Sequence, residues 1–304
     1  MLTKIALDLN VFEKLKGLSF SLKSFSKLLG IPPSSARVLA QSLCTLKLLK
    51  YKNGRLYNSP LSQKYLTIDF HEFNWMAHLF QVNEWSKGLK NKILHPKTPE
   101  WHAMMEGRQK VRKEFYTGWF HQRRVQWGLE LTRQYNFTRH KVILDIGGGC
   151  GGWLIGILKK FPDLQGRVFD LPEVKPWADR QIQQATLSHK IKFVSGSFLR
   201  DPLPKGADVA LLANVLHDWS PSQDSKILTK VYNVLPVGGV VLIWEFFFHD
   251  DFSGPPWAFV QALSVLGPKN KSGWQPTRNE MLEILSKTKF RNIKFKKNLI
   301  IAIK

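Results

Sequence analysis

The chain has 304 residues, 43% of them hydrophobic, which is enough to bury a substantial core and to build two domains. It contains no run of about 18 apolar residues and no apolar signal core behind its first charge, so a spanning helix and a secretory leader are excluded and a soluble cytoplasmic protein is expected. The formal charge of +22, from 45 basic and 23 acidic residues, is spread along the chain, and reads as a lysine-rich solvated surface before it reads as a nucleic-acid interface.

Residues 1–68 are expected to form the first domain. An amphipathic start from Ile5 to Leu15 is followed by Leu22 to Leu29, Gly30, and a Pro-Pro-Ser-Ser opening to a helix that runs through Leu49. Asn53-Gly54 then marks the turn of a hairpin within Leu48 to Tyr57. Helix, turn, helix and hairpin predict an all-helical winged-helix domain with the hairpin as its wing. Only Arg37, Gln41 and Lys47 offer polar reach on the helix that would enter a DNA groove, so packing and dimerisation are favoured over DNA binding.

Residues 69–137 read as a helical linker rich in aromatics, among them Phe70, Trp75, Trp85, Trp101, Phe120 and Trp127. Most are core candidates, while Phe115, Tyr116 and Trp119 are candidates to wall a pocket for a flat apolar substrate. His71, His78, His95, His102 and His121 lack metal-ligand spacing, and Cys44 and Cys150 stand too far apart to suggest a disulfide framework or a zinc site. No metal is expected.

From residue 138 strands and helices alternate, with strands at Val142–Ile146, Arg167–Leu171, Ile191–Val194, Asp208–Leu212, Val240–Phe247, Ile293–Phe295 and Leu299–Ile303. That pattern predicts a Rossmann-like, doubly wound α/β domain over 138–304. Its ligands belong beyond the carboxyl ends of the strands, which singles out Asp145 with the glycines, Asp170, Ser197 with Phe198, Asn214 through Trp219, and Glu245.

The run Gly147-Gly148-Gly149-Cys150-Gly151-Gly152 fits both GxGxG and the dinucleotide pattern GxGxxG. Charge separates the two. Asp145, directly under the loop, would repel a pyrophosphate but attract the ammonium of a methionine-like tail, so S-adenosylmethionine fits better than NAD. Asp170, at the end of the next strand, is placed to accept from two ribose hydroxyls.

His217 and Glu245 close neighbouring strands and are candidates for a general base and its orienting partner. A phenol with a pKa near 10 and an imidazole near 6.5 differ by about 5 kcal/mol for full proton transfer in water. Attack on an electron-poor sulfonium methyl consumes the phenolate as it forms, so a positioned histidine suffices.

Four segments carry a resemblance: Leu144-Asp145-Ile146-Gly147-Gly148-Gly149, Phe169-Asp170-Leu171-Pro172-Glu173-Val174, Asn214-Val215-Leu216-His217-Asp218-Trp219-Ser220, and Pro236-Val237-Gly238-Gly239. Together they resemble the small-molecule O-methyltransferases typified by acetylserotonin and caffeic acid O-methyltransferases. Leu46-Lys47-Leu48-Leu49 with Tyr57-Asn58 and Tyr65-Leu66 is similar to their winged-helix region. The resemblance implies methyl transfer from S-adenosylmethionine to a hydroxyl of an aromatic metabolite. It implies His217 as base, Asp170 on the ribose, Gly196, Ser197 and Phe198 along the adenine, and Gly147, Gly149 and Asn214 lining the cofactor. Asp218 and the aromatic segment with Trp257 are expected beside the acceptor.

The departures from that family are specific. Gly196-Ser197-Phe198 stands where a Gly-Asp-Phe is usual, Gln275 stands where a second carboxylate supports the histidine, and Ser264 stands where many relatives have a substrate-contacting asparagine. Met1 falls near the family's second helix, which weakens the expected homodimer. Three rivals follow: a same-fold C- or N-methyltransferase, a member diverged from methyl transfer, and a ligand-sensing winged-helix DNA regulator.

Overall fold

The chain, seen here as a computed structural model, is described over residues 6–67 and 118–304, save 8, 32–34, 37–38, 41–42, 45, 251–254 and 266–272; for 119, 256, 259–260 and 263–264 the backbone alone is described. It divides into two compact units, Met1–Asn91 and Lys92–Lys304.

In the first unit, α1 (Val11–Lys14) and α2 (Leu22–Leu29) precede the strands β1 (Leu49–Lys52) and β2 (Arg55–Asn58), and α3 (Pro60–Tyr65) follows. Ser21 starts α2 by accepting from Ser24 N at 3.1 Å. Gly30 ends it in the left-handed region, with Gly30 N on Lys27 O and Ile31 N on Ser26 O. The same arrangement recurs at Lys47 (φ 58°), where Lys47 N bonds Cys44 O and Leu48 N bonds Leu43 O. The helix expected to run through Leu49 therefore stops before the turn at Leu46, and Leu49 opens β1 instead. Asn53 (φ 52°) and Gly54 (φ 73°) form the predicted turn with both residues left-handed, which matches the twist of the hairpin. Phe20 bridges Leu56 across β2, so the unit is helices plus a small sheet rather than all-helical. Phe12, Leu15, Phe25, Leu29, Leu43, Leu49 and Leu56 fill its core.

The second unit opens with α4 (Trp119–Gln134), followed by β3 (Val142–Ile146), α5 (Gly152–Leu158), β4 (Gln165–Asp170), α6 (Lys175–Gln184) and β5 (Ile191–Ser195). Then come β6 (Val209–Ala213), α7 (Pro221–Val234), β7 (Val240–Trp244), α8 (Pro256–Val265), α9 (Arg278–Ser286), β8 (Arg291–Lys296) and β9 (Leu299–Ile303). The seven strands form one sheet in the order β5-β4-β3-β6-β7-β9-β8. β3 to β7 are mutually parallel, and β9 lies antiparallel to both β7 and β8. The runs VALLA of β6 and VVLIW of β7 are buried throughout, as strands covered on both faces require.

Strand order reverses on the two sides of β3, and the register brings the carboxyl ends of β3, β4, β6 and β7 to one edge. β7 ends at Trp244, three residues short of the expected Phe247. Beyond it Glu245 N still bonds Asn298 O at 3.0 Å, and Phe248 N turns to Pro276 O at 3.0 Å.

α4 lies against α5 through two glycines. A Cβ at Gly128 would collide with Trp153 O, and one at Gly156 with Val125 O, so the backbones meet directly. Trp127 stacks on Trp153 (5.9 Å between centroids) and leans on Trp244 (5.1 Å), adding about 1 kcal/mol per pair beyond the area buried.

Candidate active site

The glycine loop leaves β3 at Gly147 (φ 70°), whose N–H donates to Phe169 O at 2.8 Å, and passes through Gly149 (φ 57°) and Gly151 (φ 74°). A side chain at Gly147 would meet Val215 at 2.9 Å, and one at Gly148 would lie 2.5 Å from the Asp145 carboxylate. The loop is therefore bare backbone by necessity, a surface that a ligand can approach.

Two buried carboxylates flank it. Asp170 accepts from Gly149 N and from Leu171 N, each at 2.7 Å, one bond to each oxygen. Each oxygen keeps a lone pair for a sugar hydroxyl. Burial raises the Asp170 pKa, against the pull of those two N–H groups. Asp145 is 1% exposed, and among the described residues its Oδ2 has no hydrogen-bond partner. Burial pushes its pKa up to about 7; Arg124 opposes the shift and Asp170 adds to it. An orphaned buried carboxylate oxygen under a bare glycine loop fits a cationic ligand group, such as the ammonium of an amino-acid tail.

At the end of β5, Gly196 lies against the Phe169 ring, where a Cβ would come within 2.6 Å of the ring carbons. Ser197 is buried, and its N–H donates to Asp201 Oδ2 at 2.8 Å. Asp201, four residues on, is the carboxylate that holds the Ser197 backbone. Phe198 is buried edge-on against Trp219 (5.6 Å) and borders Gly147. Asn214 takes a left-handed φ of 57°, its N–H on Trp244 O and its Oδ1 buried without a partner among the described residues.

Next to this cradle stands a second construction, made of side chains. Glu245 is fully buried: its Oε1 accepts from Val215 N (2.9 Å) and Leu216 N (3.0 Å), and its Oε2 meets His217 Nδ1 at 2.8 Å. This fixes the imidazole with Nδ1–H toward Glu245 and Nε2 toward the site. Asp218 Oδ1 lies 3.5 Å from Nε2. Burial works against charge on His217, but Glu245, Asp218 and Asp224 outweigh it and raise its pKa to about 9. Asp224 on α7 is itself pushed up to about 8 by burial, with Oδ2 held by Trp274 Nε1 at 2.8 Å.

Among the described residues Gln275 makes no hydrogen bond to the imidazole. Its Nε2 donates to Phe246 O at 2.6 Å, because the chain around it is tied to the segment after β7. The amide that reaches His217 belongs to Gln261, whose Nε2 is 3.1 Å from Nδ1 and 3.0 Å from Nε2. Sequence reasoning passed over Gln261. The available signal was its position on α8 four residues after Trp257, which puts both on one helix face. Trp257 is half-buried and leans on Phe246 (6.1 Å), whereas Phe247 packs inward on Phe295. Phe115 lies outside the described residues, as do the side chains of Trp119 and Ser264. Among the described residues no group of His, Cys, Asp and Glu could hold a metal ion.

The arrangement joins a glycine cradle with acids for a zwitterionic nucleoside to a histidine held by a buried glutamate. The family described as the O-methyltransferase domain matches residues 83–291. The 3-hydroxy-5-methyl-1-naphthoate 3-O-methyltransferase of Streptomyces sahachiroi is 30% identical over 270 residues, 86% of this chain and 77% of its own. Human acetylserotonin O-methyltransferase is 32% identical over 170 residues, 56% of this chain and 48% of its own. Its structure in complex with S-adenosylmethionine aligns over 100% of this chain and 93% of that one, with a TM-score of 0.62 and 23% identity. The S-adenosylmethionine-dependent methyltransferase SibL aligns over 100% and 95%, with a TM-score of 0.77 and 21% identity, which shows the shared α/β methyltransferase fold. The chain belongs to the O-methyltransferase family and is an S-adenosylmethionine-dependent O-methyltransferase.

Proposed function

We propose that the acceptor is a hydroxyl, in the first place a phenolic one, of an aromatic small molecule, with His217 as the general base and Glu245 as its orienter. The observation that carries this is the bond from His217 Nδ1 to a Glu245 carboxylate that is also fixed by two backbone N–H groups. Bound S-adenosylmethionine supplies an electrophilic methyl on a sulfonium. Gly147, Gly149, Asp170, Gly196, Ser197, Phe198 and Asn214 are the residues that would hold it, with Asp145 at its ammonium. The activities for which the Streptomyces sahachiroi and human relatives are named, on a hydroxynaphthoate and on acetylserotonin, support an aromatic acceptor.

His217 takes the acceptor proton on Nε2, and Glu245 balances the imidazolium that results. With its pKa raised to about 9 by the surrounding carboxylates, the imidazole is a stronger base than a free one, which narrows the gap to a phenol. The rest of the cost is to free Nε2 of its own proton below that pH. Asp218 faces the same nitrogen and takes part in acceptor placement with Trp257.

The same reading takes residues 1–68 as a winged-helix module for packing and dimerisation, 69–137 as a linker contributing to the acceptor pocket, and 138–304 as the catalytic domain of a cytoplasmic protein. No helix among the described residues is long and apolar enough to cross a membrane. Incubation with S-adenosylmethionine and a panel of hydroxynaphthoates and other phenols, followed by mass spectrometry and fragmentation, should place the new methyl on oxygen. Products methylated only on carbon or nitrogen would overturn the acceptor assignment.

A further inference from the structure

Near the glycine loop, α4 contributes two buried polar side chains that neither the glycine cradle nor the His217 pair uses. A Cβ at Gly152 would lie 2.8 Å from Arg124 Cβ and 3.4 Å from His121 Nδ1, so both residues arrive where the loop enters α5. Arg124 is 8% exposed, and its guanidinium lies 4.0 Å from the Phe120 ring centroid. Its charge reaches both Asp145 and Asp170. His121 is 6% exposed, and among the described residues its Nδ1 has no hydrogen-bond partner.

We propose that Arg124 and His121 form a carboxylate subsite at the amino-acid end of the cofactor pocket, the anionic counterpart of Asp145. The inference rests on the reading of Gly147 to Gly152 as the S-adenosylmethionine loop. An α-amino acid carries its ammonium and its carboxylate on one carbon, so a pocket that takes it needs an acceptor and a cationic donor only a few ångström apart. Asp145 Oδ2 is the unsatisfied acceptor, and the guanidinium that acts on it from α4 is the donor. Arginine suits the task because its planar fork matches a carboxylate in two parallel bonds. His121 adds an N–H donor without adding charge: burial, and then Arg124, lower its pKa to about 4, so it is neutral at pH 7. Two cations in one buried pocket would repel each other, whereas a neutral imidazole beside a guanidinium supplies the third bond at no such cost.

Isothermal titration separates this role from mere support of the loop. S-adenosylhomocysteine carries the amino-acid tail; 5′-methylthioadenosine keeps the nucleoside and the sulfur but has no tail. Arg124→Met should bind S-adenosylhomocysteine at least tenfold more weakly than wild type and methylthioadenosine within twofold, with Arg124→Lys in between. His121→Leu should weaken only the tailed ligand, by about threefold. In wild type alone, which sidesteps any folding defect of the variants, decarboxylated S-adenosylmethionine should bind at least tenfold more weakly than the parent compound. Unchanged affinity of Arg124→Met for S-adenosylhomocysteine, equal losses for both ligands, or equal binding of the decarboxylated cofactor would each overturn the subsite alone. Wild type that bound none of these nucleosides would overturn the cofactor reading and the subsite with it.

Discussion

The two halves of the site are built from opposite materials. Around β3 and β4 the walls are backbone: glycines at 147, 148 and 152 where a side chain would collide, with carboxylates beneath. Around β6 and β7 the working parts are side chains, and the backbone serves them, two N–H groups pinning Glu245 so that Glu245 can pin His217. A backbone cradle tolerates no added atom, while a side-chain relay tolerates no lost one. Substitutions should therefore fail by crowding in the first half and by orphaned partners in the second.

The largest effect on stability is expected from Glu245→Ala. It strands two buried N–H groups and the histidine Nδ1, at about 1 to 2 kcal/mol each, so chemical denaturation should show a loss of about 4 kcal/mol. Next is Gly156→Ala, a crowding change: the added methyl meets Val125 O across the α4 and α5 contact, and a loss of about 3 kcal/mol is expected in the same measurement. A Gly156→Ala protein as stable as wild type would break the contrast, since it would show that the helices separate freely.

What the sequence carried follows the same division. Glycines with positive φ and acids at strand ends act through local geometry, so Gly147, Gly149, Asp145 and Asp170 were legible from neighbours in the chain. His217 and Glu245 were legible because both follow strands that a parallel sheet must align. Gln261 was not, since it reaches the imidazole from α8, 44 residues beyond His217, and no local pattern reports that approach. Gln275 misled for the same reason: its place in the family motif put it near the histidine, but its amide is held by Phe246 O. The end of the helix before β1 was misjudged because Lys47, not a glycine, takes the left-handed position that stops it.

The relay also sets a pH dependence. The imidazole must be neutral to act, and Glu245, Asp218 and Asp224 hold its proton to about 9. The rate at saturating cofactor should therefore climb about tenfold per pH unit between 6.5 and 8.5 and level off near 9. Stability runs the other way. A pKa raised from 6.5 to about 9 on folding means that the protonated pair stabilises the fold fully below pH 6.5 and that this contribution fades as the pH rises through 9. Asp145 and Asp224 titrate in the same range, so the contribution of His217 is read as the difference in Tm against pH between wild type and His217→Ala.

The smallest effect is expected from Gln261→Ala. Its amide bonds the imidazole nitrogen that must be bare for catalysis, so its loss should change the rate by less than about tenfold and leave S-adenosylhomocysteine affinity unchanged.

The most direct measurement is transfer of labelled methyl from S-adenosylmethionine to a hydroxynaphthoate by wild type and by His217→Ala, with S-adenosylhomocysteine affinity measured on the same samples. A general base contributes about 10² to 10⁴ in rate, so the variant should lose about a thousandfold in turnover while binding S-adenosylhomocysteine within threefold of wild type. A His217→Ala protein that kept most of its turnover would contradict the relay, leaving the glycine cradle as the part of the site that performs the chemistry.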